Sequence, residues 1–159
     1  MTLHWIDAVA GVAYVCVRDR LPRFGEFLNA IESLIRHPQW RPGMPIVEDL
    51  REWRGQPPDN CLEDWRTYVA DRHRFLEGCR WAVVRRADDR KLADILDAAG
   101  SEVPSGVLLR QFDDMTHAHV WAQRSADDAV AARFPVRGRA AADRERSDQQ
   151  LGLEGHETA

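Results

Sequence analysis

MPIVEDLREW, residues 44–53, is the stretch whose reading decides the fold. Residues 45–49 read as a buried strand, and the polar run RGQPPDN, residues 54–60, reads as the loop that leaves it. Helical spacing resumes beyond that loop. A strand, a loop at its carboxyl end and a helix make the junction where ligands and partners usually dock in an open α/β sheet. This junction carries Asp49, Arg51, Trp53 and Arg54.

Upstream, residues 3–7 and 12–17 are two short strand candidates, with Gly11 supplying the turn of a hairpin. The second, VAYVCV, is almost continuously apolar, as a strand covered on both faces should be. Pro22 fits the first turn of a helix whose stripe is Phe24, Phe27, Leu28, Ile31, Leu34 and Ile35. The pair His37 and Pro38 ends it, because the residue before proline avoids the α region.

Downstream, a helix begins at Asn60 with Glu63 three residues on, close to a capping box. Its stripe is Leu62, Trp65, Val69 and Leu76, flanked by Tyr68 and Phe75, and Gly78 sits where a glycine stop belongs. Residues 81–84 form a short strand. Asp88 or Asp89 caps the next helix, with stripe Leu92, Ile95, Leu96 and Ala99 and a stop at Gly100. Residues 107–112 are the fifth strand, and Asp113 and Asp114 cap a last helix carrying Met115, Ala118, Trp121 and Ala122. The order is ββαβαβαβα, with about four helices. It implies a single α/β domain over residues 1–132, built on a mixed, mainly parallel five-stranded sheet. Residues 133–159 are polar, alanine-rich and charged, and read as a flexible tail; a short helix over 139–150 is the other reading.

The chain has 159 residues and a formal net charge of −4, which argues against nucleic acid, since phosphate binding needs a concentrated basic face. No apolar run approaches the roughly 20 residues of a membrane span. The N-terminus lacks a basic segment followed by an apolar one, so no signal peptide is expected. Three widely spaced cysteines, Cys16, Cys61 and Cys79, suggest free thiols and a cytoplasmic location.

The strand MPIVEDLREW with HPQW before it, the strand WAVV and the closing segment GVLLRQFDDMTHAHVWA together resemble the SpoIIAA-like branch of the STAS superfold, also described as STAS/SEC14-like. The resemblance covers roughly residues 3–124 and implies a STAS-like α/β domain from a bacterial family without assigned activity. Relatives that antagonise anti-sigma factors carry a phosphorylatable serine at the start of the helix after the third strand. Here no Ser or Thr lies between Val47 and Arg66, so the phospho-switch is not expected.

If the sheet is parallel, three strand ends bring Asp49, Arg51 and Trp53, then Arg85 and Arg86, then Gln111, Asp113 and Asp114 to one rim. Arginines beside helix N-termini suit an anion or an acidic partner; equally, the acids cap helices and the arginines pair with them. Trp53 and the following Gly55–Pro58 loop form either an exposed aromatic platform or a lid over the core. Cys61, in the first turn of its helix and near the place of the relatives' serine, is either a reactive thiol or a small buried hydrophobe.

His117 and His119, two apart on a helix, do not share a face, so no metal site is expected. The chain carries no GxSxG, GxxxxGK[ST], GxGxxG or HExxH motif, and no cofactor or enzymatic activity is expected. The leading expectation is a non-enzymatic, regulatory binding module whose site is Asp49, Arg51, Trp53, Arg54, Arg86 and Gln111. Its partner would be a protein or a small anionic ligand. The alternative is a carrier of a small apolar ligand or lipid, with a cavity lined by Phe24, Phe27, Trp65 and Phe75. Self-association as a homodimer through an edge strand is also open.

Overall fold

The computed structural model describes residues 2–18, 24–55, 57–101 and 106–124, and in them ten elements follow one another. They are β1 (Thr2–Asp7), β2 (Val12–Val17), α1 (Phe24–Ile35), β3 (Ile46–Asp49), α2 (Cys61–Asp71), α3 (His73–Leu76), β4 (Arg80–Val84), α4 (Arg90–Ser101), β5 (Leu108–Phe112) and α5 (Met115–Gln123). The strands form one five-stranded sheet in the order β1-β2-β3-β4-β5. β1 is antiparallel to β2, and the three other pairs are parallel. The sheet is therefore mixed and mainly parallel, as the alternation of strand and helix periods predicts.

The β1–β2 hairpin closes through Asp7. Its carbonyl accepts from Gly11 N at 2.8 Å, and its Oδ1 accepts from the backbone N–H of Val9 and Ala10 at 3.0 and 2.9 Å. Gly11 has φ 65°, the left-handed conformation that glycine adopts without a steric penalty.

Strand alternation divides the core into two layers. Val15, Ile46, Trp81 and Val83 face the helices α1, α2 and α4, which contribute Ile31, Leu34, Trp65, Val69 and Leu92. On the other face Val12, Val47, Ala82 and Val84 meet Ala118 and Ala122 of α5. Toward the β1 edge of that face, Trp5 stacks on Tyr14 with centroids 5.0 Å apart, and Tyr14 stacks on His119 at 6.1 Å. The Tyr14 hydroxyl and His119 Nδ1 share a hydrogen bond at 2.5 Å. Among the described residues no helix is long and apolar enough to cross a membrane.

Local chemistry departs from expectation at three places. The helix expected from Asn60 to Leu76 is broken at Arg72 into α2 and the single turn α3. There Arg72 Nε donates to Glu32 Oε2 at 2.9 Å, tying the break to α1. Asn60 occupies the N-cap position of α2, but its side chain makes no cap hydrogen bond and donates to Asp64 Oδ2 at 2.9 Å, so no capping box forms. Gly100 does not stop α4, which runs on to Ser101. A Cβ at Gly100 would sit 3.4 Å from the Leu109 carbonyl oxygen, so the missing side chain lets α4 lie close on β5. Asp89, not Asp88, caps α4 by accepting from Leu92 N at 3.1 Å. The expectations for Pro22, the boundary at residue 132 and the tail fall outside the described residues.

Candidate functional site

The carboxyl ends of β3, β4 and β5 lie level, with Asp49 opposite Val84 and Val84 opposite Phe112. The ladder continues past them, Leu50 N donating to Val84 O at 2.8 Å and Arg85 N to Phe112 O at 2.9 Å. The expected rim exists, but its side chains sort into separate sets. Arg51 grips Asp49 with two parallel hydrogen bonds, Nε to Oδ1 at 2.9 Å and Nη2 to Oδ2 at 2.8 Å. Burial pushes the Asp49 carboxyl up, and the hydrogen bonds and charge of Arg51 outweigh it, so Asp49 lies below its ordinary value.

Trp53 has turned inward and is only 3% exposed, so it is a lid and offers no platform. Its carbonyl accepts from Arg86 Nη1 at 2.9 Å, while Arg86 Nε pairs with Asp88 Oδ1 at 2.9 Å. Arg54 is exposed, and its charge helps to lower the Asp88 carboxyl, after the larger effects of Arg86. Gln111 belongs to a third set: its Nε2 donates to Asp97 Oδ1 at 2.5 Å and its Oε1 accepts from Arg85 Nε. Arg51 and Arg86 thus hold carboxylates of the chain itself, and exposed surface pairs of this kind contribute little to stability.

Cys61 is buried, and burial, as the largest influence, pushes its thiol up. Of the two readings of Cys61 its burial favours the small hydrophobe, because desolvation disfavours the thiolate more than the helix N-terminus favours it. His117 pairs with Asp114 at the start of α5, whereas His119 packs on Tyr14, so the two histidines do point apart. Among the described residues no group of three or more His, Cys, Asp or Glu is placed to hold a metal ion.

The concavity with the most distinctive chemistry lies behind the rim, between the sheet and the helices α2 and α4. It is a cavity of about 90 Å³ bounded by Trp53, Pro57 and Pro58 of the loop, Trp65 of α2, Trp81 of β4 and Leu96 of α4. Phe27 of α1 also lines it, as expected. Phe75, expected beside it, is instead 41% exposed, because α3 turns it outward; the side chain of Phe24 lies outside the described residues.

Into this apolar space β3 sends Glu48, 4% exposed. Glu48 Oε2 accepts from Trp81 Nε1 at 3.0 Å, and no other hydrogen bond reaches the carboxyl among the described residues. Burial pushes the Glu48 carboxyl up to about 8, the Trp81 hydrogen bond pulls it back in part, and the charge of Asp49 raises it again. Trp53, a residue of the lining, has its Nε1 buried without a hydrogen-bond partner. Buried polar groups are normally paired, so two on residues of one apolar lining mark it out.

Glu48 is not among the candidates that the sequence singles out, although its neighbour Asp49 is. The signal was present in IVEDL: Ile46, Glu48 and Leu50 share strand parity, and two apolar flanks place Glu48 on the helix-covered face.

No family model and no curated protein matches the chain. In structure it is similar to an uncharacterised protein of the DUF3478 family with a SpoIIAA-like fold from Shewanella loihica. The likeness has a TM-score of 0.51 at 14% identity and covers 77% of this chain and 92% of that one. The order of elements, the parallel core with one antiparallel edge strand and this likeness together give the chain a SpoIIAA-like fold.

Proposed function

We propose that the chain is a STAS-like regulatory module that binds a small, largely apolar ligand in the cavity over Glu48 and catalyses no reaction. The observation that supports this reading is the pairing of an apolar enclosure with under-satisfied polar atoms. The cavity is walled by Trp53, Trp65, Trp81 and Leu96, and its lining residues include one carboxyl with a single hydrogen bond and one buried indole N–H with none. Small-molecule sites combine apolar walls with a few placed polar groups in this way. Docking of a protein at the strand-end rim draws less support, because Trp53 is turned inward and Arg51 and Arg86 are engaged within the chain.

Native mass spectrometry after gentle purification tests the reading. The expected result is a population heavier than the bare chain by one small molecule. Ala99→Leu, which adds volume to the cavity wall, should remove that population while the protein still melts cooperatively. A wild-type chain of bare mass that also fails to take up any small apolar probe overturns it.

A further inference from the structure

We propose that the cavity takes a small organic base whose ammonium group pairs with Glu48 and rests among the surrounding indoles, an inference that builds on the ligand-binding reading above. Three observations converge on this class. The first is the acid itself. The ion pairs found among the described residues use Glu32, Asp49, Asp88 and Asp114, and none of them reaches Glu48. A carboxyl buried without a cationic partner keeps its proton, and a bound cation is what offsets the desolvation of its ionised form.

The second observation is the wall. Trp53, Trp65, Trp81 and Phe27 surround the space, with Trp65 and Trp81 edge to face at 6.0 Å and Phe27 6.3 Å from Trp81. Tryptophan is the best aromatic partner for a cation, and the attraction grows where water is excluded. The third is size. A cavity of roughly 150 Å³ takes benzene, so about 90 Å³ takes about three or four non-hydrogen atoms.

The charge environment excludes the other ligand classes. Glu48 and Cys61 are the titratable side chains that line the cavity; α1 contributes Phe27, β4 contributes Trp81 and Val83, and α4 contributes Leu92, Ile95, Leu96 and Ala99. Asp49, next to Glu48 on β3, adds negative charge, and Lys91 of α4 acts by its charge on Cys61. An anion would meet a carboxyl and no cation. A sugar or polyol would lose more hydrogen bonds to water than two polar atoms restore. A hydrocarbon would leave both polar atoms as they are.

The protons balance as follows. With the cavity empty at neutral pH, Glu48 holds its proton; the arriving ammonium forms the ion pair, and the Glu48 proton leaves to bulk water. Binding therefore releases one proton, and below about pH 8 the affinity rises by about tenfold per pH unit. A neutral carbonyl compound accepting from the protonated acid gives the opposite profile, flat below about pH 8 and falling above it.

Isopropylamine and acetone, each with about four non-hydrogen atoms, are the probes. Each is titrated into the full chain at pH 6, 7 and 8 while the indole N–H resonances of Trp53 and Trp81 are followed. Isopropylamine should bind with the rising profile, and more tightly than acetone by tenfold or more at pH 8. In E48Q its affinity should fall by at least tenfold and lose its pH dependence. Calorimetry of the wild type at pH 7, in buffers of different ionisation heat, should count one proton released. That measurement decides the matter even if E48Q fails to fold. Tighter binding of acetone, or no proton released, overturns the amine and leaves the ligand-binding reading standing. Silence from both probes overturns both.

Discussion

Glu48 and Asp49 are consecutive carboxylates on one strand with opposite fates. Asp49 points to the α5 side, where Arg51 keeps it ionised; Glu48 points into the helix-covered layer, where burial keeps it protonated. Between about pH 4.5 and about pH 8 the folded chain holds a Glu48 proton that the unfolded chain has lost. Stability therefore falls as pH rises through that window, by up to about 1.4 kcal/mol per unit, and is fully present below it. Glu48→Gln keeps an acceptor for Trp81 Nε1 and should flatten the slope in urea unfolding at pH 5, 6.5 and 8. An unchanged slope would assign the effect to another group. At this scale the sequence was readable only in part. Parity was enough to place Glu48, yet the inward turn of Trp53 depends on Arg86, 33 residues away, which holds its carbonyl. No local pattern encodes such a contact.

Helix starts show how much an element depends on its cap. Asp114 accepts from Thr116 N at 2.9 Å and from His117 N at 3.1 Å, whereas Asn60 caps nothing although it stands at the same position of its own helix. Asp114→Ala should lower the melting temperature by about 3 °C, and Asn60→Ala by clearly less. Equal losses would mean that the geometry at Asn60 is irrelevant to α2. Element order was legible because helical and strand periods differ so sharply; the five strands and the long helices stand where the apolar periods put them. Element ends were less legible. Gly100 has the residue type of a stop, but its role is the close approach of α4 to Leu109, a contact between elements that sequence spacing does not carry.

Across the described residues of the molecule the two faces of the sheet are unequally covered. The helices α1, α2 and α4 lie over one face, and α5 meets the buried residues of the other. Trp5, Leu108 and Val120 remain substantially exposed. β4 is buried at every position and bonded on both sides, while β1 and β5, the two edges, each have one strand neighbour among the described residues. Hydrogen exchange should therefore be slowest for the amides of β4 and fastest among strands for the two edges. Edge strands as slow as β4 would mean that the sheet opens only by global unfolding.

The adjacent carboxylates of β3 also bear on how the chain finds its sheet. The β1–β2 pair forms through a tight local turn, but each parallel pair waits for a helical crossover to close, and such pairings form late. While β3 searches, a slip of one residue against β4 would turn Asp49 and its arginine clasp toward the apolar layer and take Glu48 away from the Trp81 indole. Burying that ion pair is penalised, whereas Glu48 would leave a layer that desolvates it. Asp49 and Arg51 thus weigh against an out-of-register sheet before the helices can seal it.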